Sequence, residues 1–216
     1  IYRRPGSRDY VLPWVNFHAT KNYHQMALLA AESGFPATFN FVPCLLDQIE
    51  DYALGLANDP FQLALELPPD MLGPIETDRL RKFVPGETKP SVLQAQSLAS
   101  FFTPAEPRPD GREAMLARRI EILGGLVSRW RRLLEDGRAE LTVTPYYHPI
   151  LPMLFNADAA GPERPGPAFR HPEDGRIQIA RGVARFSEVF GRAPAGMWPS
   201  EGAVSAEAAR AAAAAG

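Results

Sequence analysis

The sequence predicts an α/β fold built on a parallel sheet, and two observations support this. Segments of helical and extended character alternate along the chain, and the helical ones are long enough to cross from strand to strand. Three short runs, 37–42, 140–144 and 195–198, have the composition of buried strands. Because parallel sheets place ligands at the carboxyl ends of their strands, we expect functional side chains just after Val42, Thr144 and Trp198.

Composition limits the classes of function that the chain can serve. It has 216 residues, of which 45% are hydrophobic, and a net charge of -2, which suits one globular unit with a substantial core. Near-neutrality gives no support to a nucleic-acid partner or a membrane surface, since both normally require a concentrated basic face. No apolar run is long enough to cross a bilayer. We therefore expect a cytoplasmic protein.

Cys44 is the only cysteine, so an internal disulfide is impossible and the fold must rest on packing. Its neighbours Val42, Leu45 and Leu46 predict a buried, inert thiol. Cys44 follows a predicted strand, but no histidine is marked as its partner, which disfavours a catalytic role.

Apolar periodicity predicts long helices over residues 21–33, 45–56, 112–135 and 177–190. We expect Thr20 to cap the first of them, and Gly34 and Gly191 to end the first and the last. Ser205 is predicted to cap a final alanine-rich helix.

The helix over residues 112–135 is predicted to be amphipathic. Its apolar stripe is expected at Leu116, Ile120, Leu123, Val127, Trp130 and Leu134. Five arginines accompany the stripe, and we interpret them as a solvated helix face: Arg118, Arg119, Arg129, Arg131 and Arg132.

Two segments break the regular pattern. Residues 60–110 contain many prolines between short amphipathic stretches, and we interpret them as a helical insertion rather than a separate domain. Residues 156–175 are rich in glycine, proline and charge, which predicts an exposed loop. Both chain ends look cut, so we expect a piece of a longer protein.

The third strand end carries a carboxylate. Glu201 lies three residues beyond the predicted strand, between Pro199 and Gly202, which favour a tight turn. This spacing aims the carboxylate at the edge where ligands bind, and Trp198 beside it offers a flat apolar face that suits stacking on a sugar ring. The alternative is a surface-loop glutamate next to a core tryptophan.

Two further segments carry candidate binding residues. In residues 144–152, Tyr147 and His148 stand among three prolines, so their side chains are pre-positioned. His148 can hydrogen-bond a sugar hydroxyl; the alternative is a structural histidine. Trp14 and His18 precede the first predicted helix, where the aromatics are equally typical of a core. No second histidine lies at ligand spacing, so no metal site is expected.

Other chemistries lack their motifs. There is no Gly-x-Gly-x-x-Gly and no phosphate-binding Gly-Lys-Ser/Thr, so nucleotide binding has no support. There is also no Gly-x-Ser-x-Gly nucleophile elbow.

Four segments, in order, resemble glycoside hydrolase family 57. Residues 13–23 (PWVNFHATKNY) resemble an early block of the family, and residues 38–48 (TFNFVPCLLDQ) resemble its second strand and following helix. Residues 144–152 (TPYYHPILP) and 196–202 (GMWPSEG) resemble two further blocks. The matches span almost the whole chain, and four ordered blocks are far more specific than any one of them.

The resemblance implies an incomplete (β/α)7 barrel with parallel strands, in which residues 1–216 are a partial catalytic domain and about 60–110 a helical insertion. It implies an α-amylase or 4-α-glucanotransferase type of enzyme that acts on α-1,4-glucans such as starch, glycogen or maltodextrin, with retention at the anomeric carbon and no cofactor. Glu201 matches the nucleophile. His148 and Trp198 match residues that line the sugar site, and we add Tyr147, His18 and Trp14 as substrate-binding residues.

The resemblance also implies missing parts. The family's first strand, with its His-Gln-Pro block, would precede Ile1, and the acid/base aspartate would follow Gly216, so we expect this chain alone to be inactive. Two other interpretations remain open: a catalytically inactive glucan-binding homologue on the same fold, and a metal-dependent sugar deacetylase. The sequence leaves the oligomeric state open.

Overall fold

The computed structural model describes residues 3, 6–83, 111–157 and 169–216. Their elements, in chain order, are α1 (Trp14–Phe17), a π-helical segment (His18–Tyr23), α2 (His24–Ser33), β1 (Thr38–Phe41), α3 (Pro43–Ala53), α4 (Pro60–Glu66), a 3₁₀ turn (Pro69–Met71), α5 (Pro74–Phe83), α6 (Gly111–Glu135), β2 (Glu140–Val143), α7 (Leu151–Phe155), α8 (Pro172–Phe190), a second 3₁₀ turn (Ser200–Gly202) and α9 (Ala206–Ala213). Contacts divide the chain into unit one, residues 1–29 and 48–129, and unit two, residues 30–47 and 130–216.

Unit two contains the sheet. β1 and β2 pair in parallel, with Thr38 opposite Glu140 and Phe41 opposite Val143. The predicted third strand is reduced to a single parallel bridge between Val143 and Met197. Pro194 and Pro199 lie on either side of that bridge in the sequence. Because proline has no N–H group to donate to a neighbouring strand, the paired segment stays short. The predicted α/β fold with a parallel sheet is therefore confirmed for the described residues.

An aromatic cluster packs against the sheet in unit two. Trp130 is almost completely buried and meets the rings of Phe39 and Phe41 edge-on, at centroid distances of 4.6 and 5.3 Å. Phe190, near the end of α8, meets Phe41 at 5.2 Å. Large rings in edge-to-face contact add specific attraction to the area that they bury. This cluster holds β1 between α6 and α8.

The amphipathic character of α6 is confirmed, but the predicted stripe is displaced by about one residue. Ile120 is 55% exposed, whereas Leu123 and Trp130 are buried as predicted. The buried face of the helix consists of Met115, Arg119, Ile122, Leu123, Leu126, Trp130 and Leu133. Arg119 is therefore wrongly predicted as solvated, since it shares the face of Met115 and Ile122 at helical spacing.

Arg119 belongs to a buried polar network in unit one. Its Nε donates to Oδ1 of Asn16 at 3.1 Å, and Nδ2 of Asn16 donates to Oδ2 of Asp59 at 2.9 Å. Asp59 also accepts the hydroxyl of Tyr52 at 2.8 Å and caps the start of α4 by accepting the backbone N–H groups of Phe61 and Gln62. Burial, opposed by the Asp59 charge, lowers the pKa of Arg119.

The first helix begins earlier than predicted. Thr20 does not cap it: this residue lies inside the π segment, where its hydroxyl donates to the carbonyl of Asn16 at 2.7 Å. The segment joins α1 and α2 into one continuous run, so the aromatic residues from Trp14 onward are helical. Gly34 follows this run in the left-handed conformation, at φ 62°.

The predicted ends of the last two helices are confirmed. Gly191 ends α8 in the left-handed conformation, at φ 74°, and the hydroxyl of Ser205 caps α9 by accepting the N–H of Ala208 at 3.1 Å. The start of α8 is not as predicted. It begins at Pro172, within the predicted loop, because Pro172 occupies the first turn and Glu173 and Asp174 follow it.

Several other predictions concern single segments. Within the predicted insertion, residues 60–66, 69–71 and 74–83 are helical, whereas residues 84–110 lie outside the described residues. Residues 158–168 of the predicted loop also lie outside the described residues. Cys44 is buried, and burial raises the pKa of its thiol. Among the described helices, none combines the length and the apolar character that crossing a bilayer requires.

Gly182 sets the approach of α8 to the sheet. A Cβ at this position would lie 2.7 Å from the carbonyl oxygen of Thr144 and 3.3 Å from the nitrogen of Tyr146. We therefore expect Gly182→Ala to lower the free energy of unfolding by about 1–3 kcal/mol, because backbone must shift to admit the methyl group.

The matched control is Gly124→Ala in α6, where an added Cβ meets no atom within 4 Å. It should raise stability by up to about 1 kcal/mol, the difference in helix propensity. Urea unfolding measures both variants. Equal stabilities for the two would contradict the close approach.

Candidate active site

The three strand ends of unit two lead to one edge of the sheet. The N–H of Thr144 donates to the carbonyl of Phe41 at 3.1 Å, and the N–H of Trp198 donates to the carbonyl of Val143 at 2.8 Å. The N–H of Cys44 reaches the carbonyl of Tyr146 at 3.1 Å. Because the strands are parallel, the residues that follow them emerge on the same side.

The loop after β2 presents His148 in an unusual backbone conformation. Its φ is 58°, in the left-handed region that non-glycine residues seldom adopt. The N–H of His148 donates to the carbonyl of Pro145 at 2.9 Å, which closes the turn. Backbone of this kind persists only where the surroundings hold it, and it concentrates at functional sites.

Glu201 shares this property. It lies in the second 3₁₀ turn with φ 56°, and the turn is closed by the N–H of Gly202 donating to the carbonyl of Pro199 at 2.9 Å. Its side chain is 70% exposed, and its Oε1 lies 3.9 Å from Nδ1 of His148. The structure thus brings together the carboxylate and the imidazole that the sequence singled out on two different strand ends.

Two exposed aromatic side chains flank this pair in sequence. Trp198 is 58% exposed and Tyr147 is 54% exposed. The alternative interpretation of Trp198 as a core residue is therefore wrong in this structure. Flat, solvent-accessible rings at a strand edge are suited to stacking on the apolar face of a sugar.

The sequence did not reveal the side chains that hold the Tyr147–His148 loop. The N–H of Tyr147 donates to Oε1 of Gln178 in α8 at 2.8 Å. The guanidinium carbon of Arg181 lies 4.1 Å from the ring centroid of Tyr146 and 5.6 Å from that of Tyr147. The sequence offers one signal for this pair: Gln178 and Arg181 are three residues apart and so lie on one face of the predicted helix.

Trp14 and His18 belong to unit one. Their rings lie 6.4 Å apart, and Nδ1 of His18 is 2.8 Å from Nδ2 of Asn22. Both side chains are exposed, so neither belongs to the core. Desolvation, with a smaller contribution from the Lys21 charge, lowers the pKa of His18. The π segment that begins at His18 is a feature common at functional sites.

An open cleft of about 360 Å³ lies elsewhere in unit two, lined by Phe155, Arg170, Pro172, Arg176, Glu207, Arg210, Ala211 and Ala214. Arg170 pairs with Glu207 at 3.7 Å. None of the predicted site residues lines this cleft. No cluster of three His, Cys, Asp or Glu side chains with the geometry of a metal site occurs within the described ranges.

Comparison with known proteins shows which family the second half of the chain resembles. Residues 117–216 match the model of a family of glycoside hydrolases, and this region includes β2, His148 and Glu201. The family is glycosyl hydrolase family 57, so the resemblance seen in the sequence motifs is confirmed over residues 117–216. No curated protein matches the chain at a significant level.

Solved structures resemble the chain at low sequence identity. The α-amylase AmyC from Thermotoga maritima is 17% identical over 99% of this chain and 36% of its own, with a TM-score of 0.57, which shows a shared fold. A family 57 branching enzyme from Thermococcus kodakaraensis is 20% identical over 93% and 30% of the two chains, with a TM-score of 0.49. One from Pyrococcus horikoshii is 17% identical over 93% and 32%, with a TM-score of 0.46. The chain spans about a third of the length of these structures.

Ser200, next to Glu201, offers a test of the local packing. It is 1% exposed, and its hydroxyl has no hydrogen-bond partner among the described residues. An unpaired buried hydroxyl costs about 1–3 kcal/mol, so Ser200→Ala should leave the free energy of unfolding unchanged or raise it by up to about 1 kcal/mol.

The control is Thr144→Val, which removes a buried hydroxyl that donates to the carbonyl of Pro145 at 3.0 Å. That variant should lose about 1 kcal/mol, because a formed hydrogen bond disappears. Denaturant unfolding compares the two. A larger loss for Ser200→Ala than for Thr144→Val would show that the Ser200 hydroxyl has a partner.

Proposed function

We propose that the complete protein is a retaining glycoside hydrolase or transglycosylase that acts on α-1,4-glucans, with Glu201 as its nucleophile. The observation that carries this proposal is the convergence of Glu201 and His148, 3.9 Å apart, from two parallel strand ends within the region that matches family 57. The name of one similar structure, an α-amylase, is consistent with a glucan as substrate.

The proposed architecture is a (β/α)7 barrel of which β1, β2 and the Met197 bridge form part. In barrels of parallel strands, catalytic residues come from the carboxyl ends of several different strands. The position of Glu201 beyond the Met197 bridge fits that rule. Residues 60–110 are proposed to be a helical insertion into the barrel domain.

The proposed reaction begins with attack by the Glu201 carboxylate on the anomeric carbon, which forms a covalent glycosyl-enzyme and releases the leaving group. A second carboxyl group, about 5–5.5 Å away, protonates the departing oxygen and then activates the acceptor. We propose, from the family resemblance, that this group is an aspartate beyond residue 216. Water as acceptor gives hydrolysis, and a sugar hydroxyl gives transglycosylation.

The exposed rings and His148 are proposed to bind the substrate. Trp198 and Tyr147 would stack on glucose rings, and His148 would hydrogen-bond a hydroxyl next to the reacting carbon. Trp14 and His18 remain proposed substrate-binding residues of unit one. The chemistry requires no metal and no organic cofactor.

Replacement of Glu201 in the complete protein tests the nucleophile. Glu201→Gly suits the left-handed backbone at this position and removes the carboxylate, so kcat should fall by at least about 10³-fold. Azide should restore turnover of an aryl α-glycoside and yield the β-glycosyl azide, because the small anion takes the place of the carboxylate on the same face of the sugar.

The matched control is Glu207→Gln, which removes another exposed carboxylate of unit two and should retain wild-type activity. Activity of Glu201→Gly within about tenfold of wild type would exclude Glu201 as nucleophile. A complete wild-type protein that binds glucans without turnover would instead favour the inactive homologue.

The 216 residues by themselves are expected to be inactive. Two carboxyl groups must act on one glycosidic bond, and the proposed acid/base aspartate is not among these residues. Incubation of the purified chain with soluble starch should release no reducing sugar. Starch hydrolysis by the purified chain would place both carboxyl groups within residues 1–216.

A further inference from the structure

Asp47 links the loop before His148 to two helices. Its Oδ2 accepts the hydroxyl of Tyr146, and its Oδ1 accepts Nε of Arg185 at 2.5 Å. The three residues come from α3, the loop after β2 and α8. The side chains of Arg185 and Tyr146 are largely buried, which limits screening by water and strengthens both charge-assisted hydrogen bonds.

Several contacts restrain Tyr146. Its hydroxyl is held by Asp47, one ring face lies 4.1 Å from the guanidinium carbon of Arg181, and its N–H donates to the carbonyl of Gln178 at 2.9 Å. Burial, with the hydrogen bond to Asp47, raises the pKa of the Tyr146 hydroxyl above its ordinary value. The hydroxyl therefore stays protonated, and a donor to Asp47, at neutral pH.

His148 lies two residues after Tyr146, and its reach toward Glu201 depends on a left-handed backbone that costs free energy. A turn of this kind relaxes to a lower-energy backbone conformation when the residues within it are free to move. Contacts that hold the Tyr146 side chain therefore also hold the backbone of the turn that carries His148. A displacement of about 1 Å at a reacting group can reduce a rate by about 10²-fold, so this restraint matters for chemistry.

We propose that Asp47 is a positioning residue, which holds the Tyr146–Tyr147 loop so that the imidazole of His148 faces the carboxylate of Glu201. Asp47 acts through Tyr146 and touches no reacting atom. The kinetic consequence rests on the proposed function of Glu201, whereas the geometric consequence does not.

Kinetics of the complete protein on maltooligosaccharides test the proposal. Asp47→Asn keeps the size of the side chain but leaves only one oxygen for two donors. It should lower kcat by about tenfold or more and change KM by less than about threefold. Tyr146→Phe, which leaves the pair of Asp47 and Arg185 intact, should show the same split between kcat and KM.

The double variant Asp47→Asn/Tyr146→Phe should lose no more than the more severe single variant, since both changes release the same restraint. Glu188→Gln is the matched control: it removes a second carboxylate partner of Arg185, at 3.0 Å, without touching Tyr146, and should behave as wild type. Wild-type kinetics for Tyr146→Phe, or losses that multiply in the double variant, would overturn the proposal.

A crystal structure of the complete Tyr146→Phe variant supplies a readout that does not need turnover. The distance from Nδ1 of His148 to Oε1 of Glu201, 3.9 Å here, should increase by about 1 Å or more. An unchanged distance would refute the positioning role. If the wild-type protein fails to act on glucans, the proposed function falls, and this distance still decides the role of Asp47.

Discussion

Parallel pairing of three short chain segments is the constraint on which the candidate site depends. β1, β2 and the Met197 bridge share one direction, so the residues that follow them meet at a single edge although they are more than fifty residues apart along the chain. The Met197 bridge and backbone hydrogen bonds from β2 to Ala195, Gly196 and Trp198 align the third segment. The position of Glu201 also depends on the closed turn around it and on the buried Ser200.

The site combines a strained backbone with a rigid support. His148 and Glu201 both adopt a conformation that L side chains avoid, and each is placed there by a turn closed with a backbone hydrogen bond. Behind His148, α8 approaches the strand end closely enough that only Gly182 fits. Side chains that are held in place by their surroundings lose little entropy when they meet a ligand, which favours catalysis.

Sequence patterns predicted the α/β class, the parallel direction and most helix bounds, because these follow from local periodicity and turn chemistry. They also predicted which side chains leave the strand ends. They failed where tertiary contacts decide: the buried partner of Arg119 is Asn16, which lies more than a hundred residues away in the sequence. The roles of Asp47 and Arg185 were equally hidden, since their partners are about a hundred residues away.

The π segment at His18–Tyr23 has a consequence for how this part of the molecule can change. A widened turn accommodates one residue more than a regular α-helical turn. Loss of a single residue there would restore regular geometry and leave the helix continuous, and the helices on its two sides would keep nearly the same facing, because the wide turn already absorbs the extra residue. The exposed Trp14 can thus keep its orientation when this turn gains or loses one residue, with no unfolding of the helix that carries it.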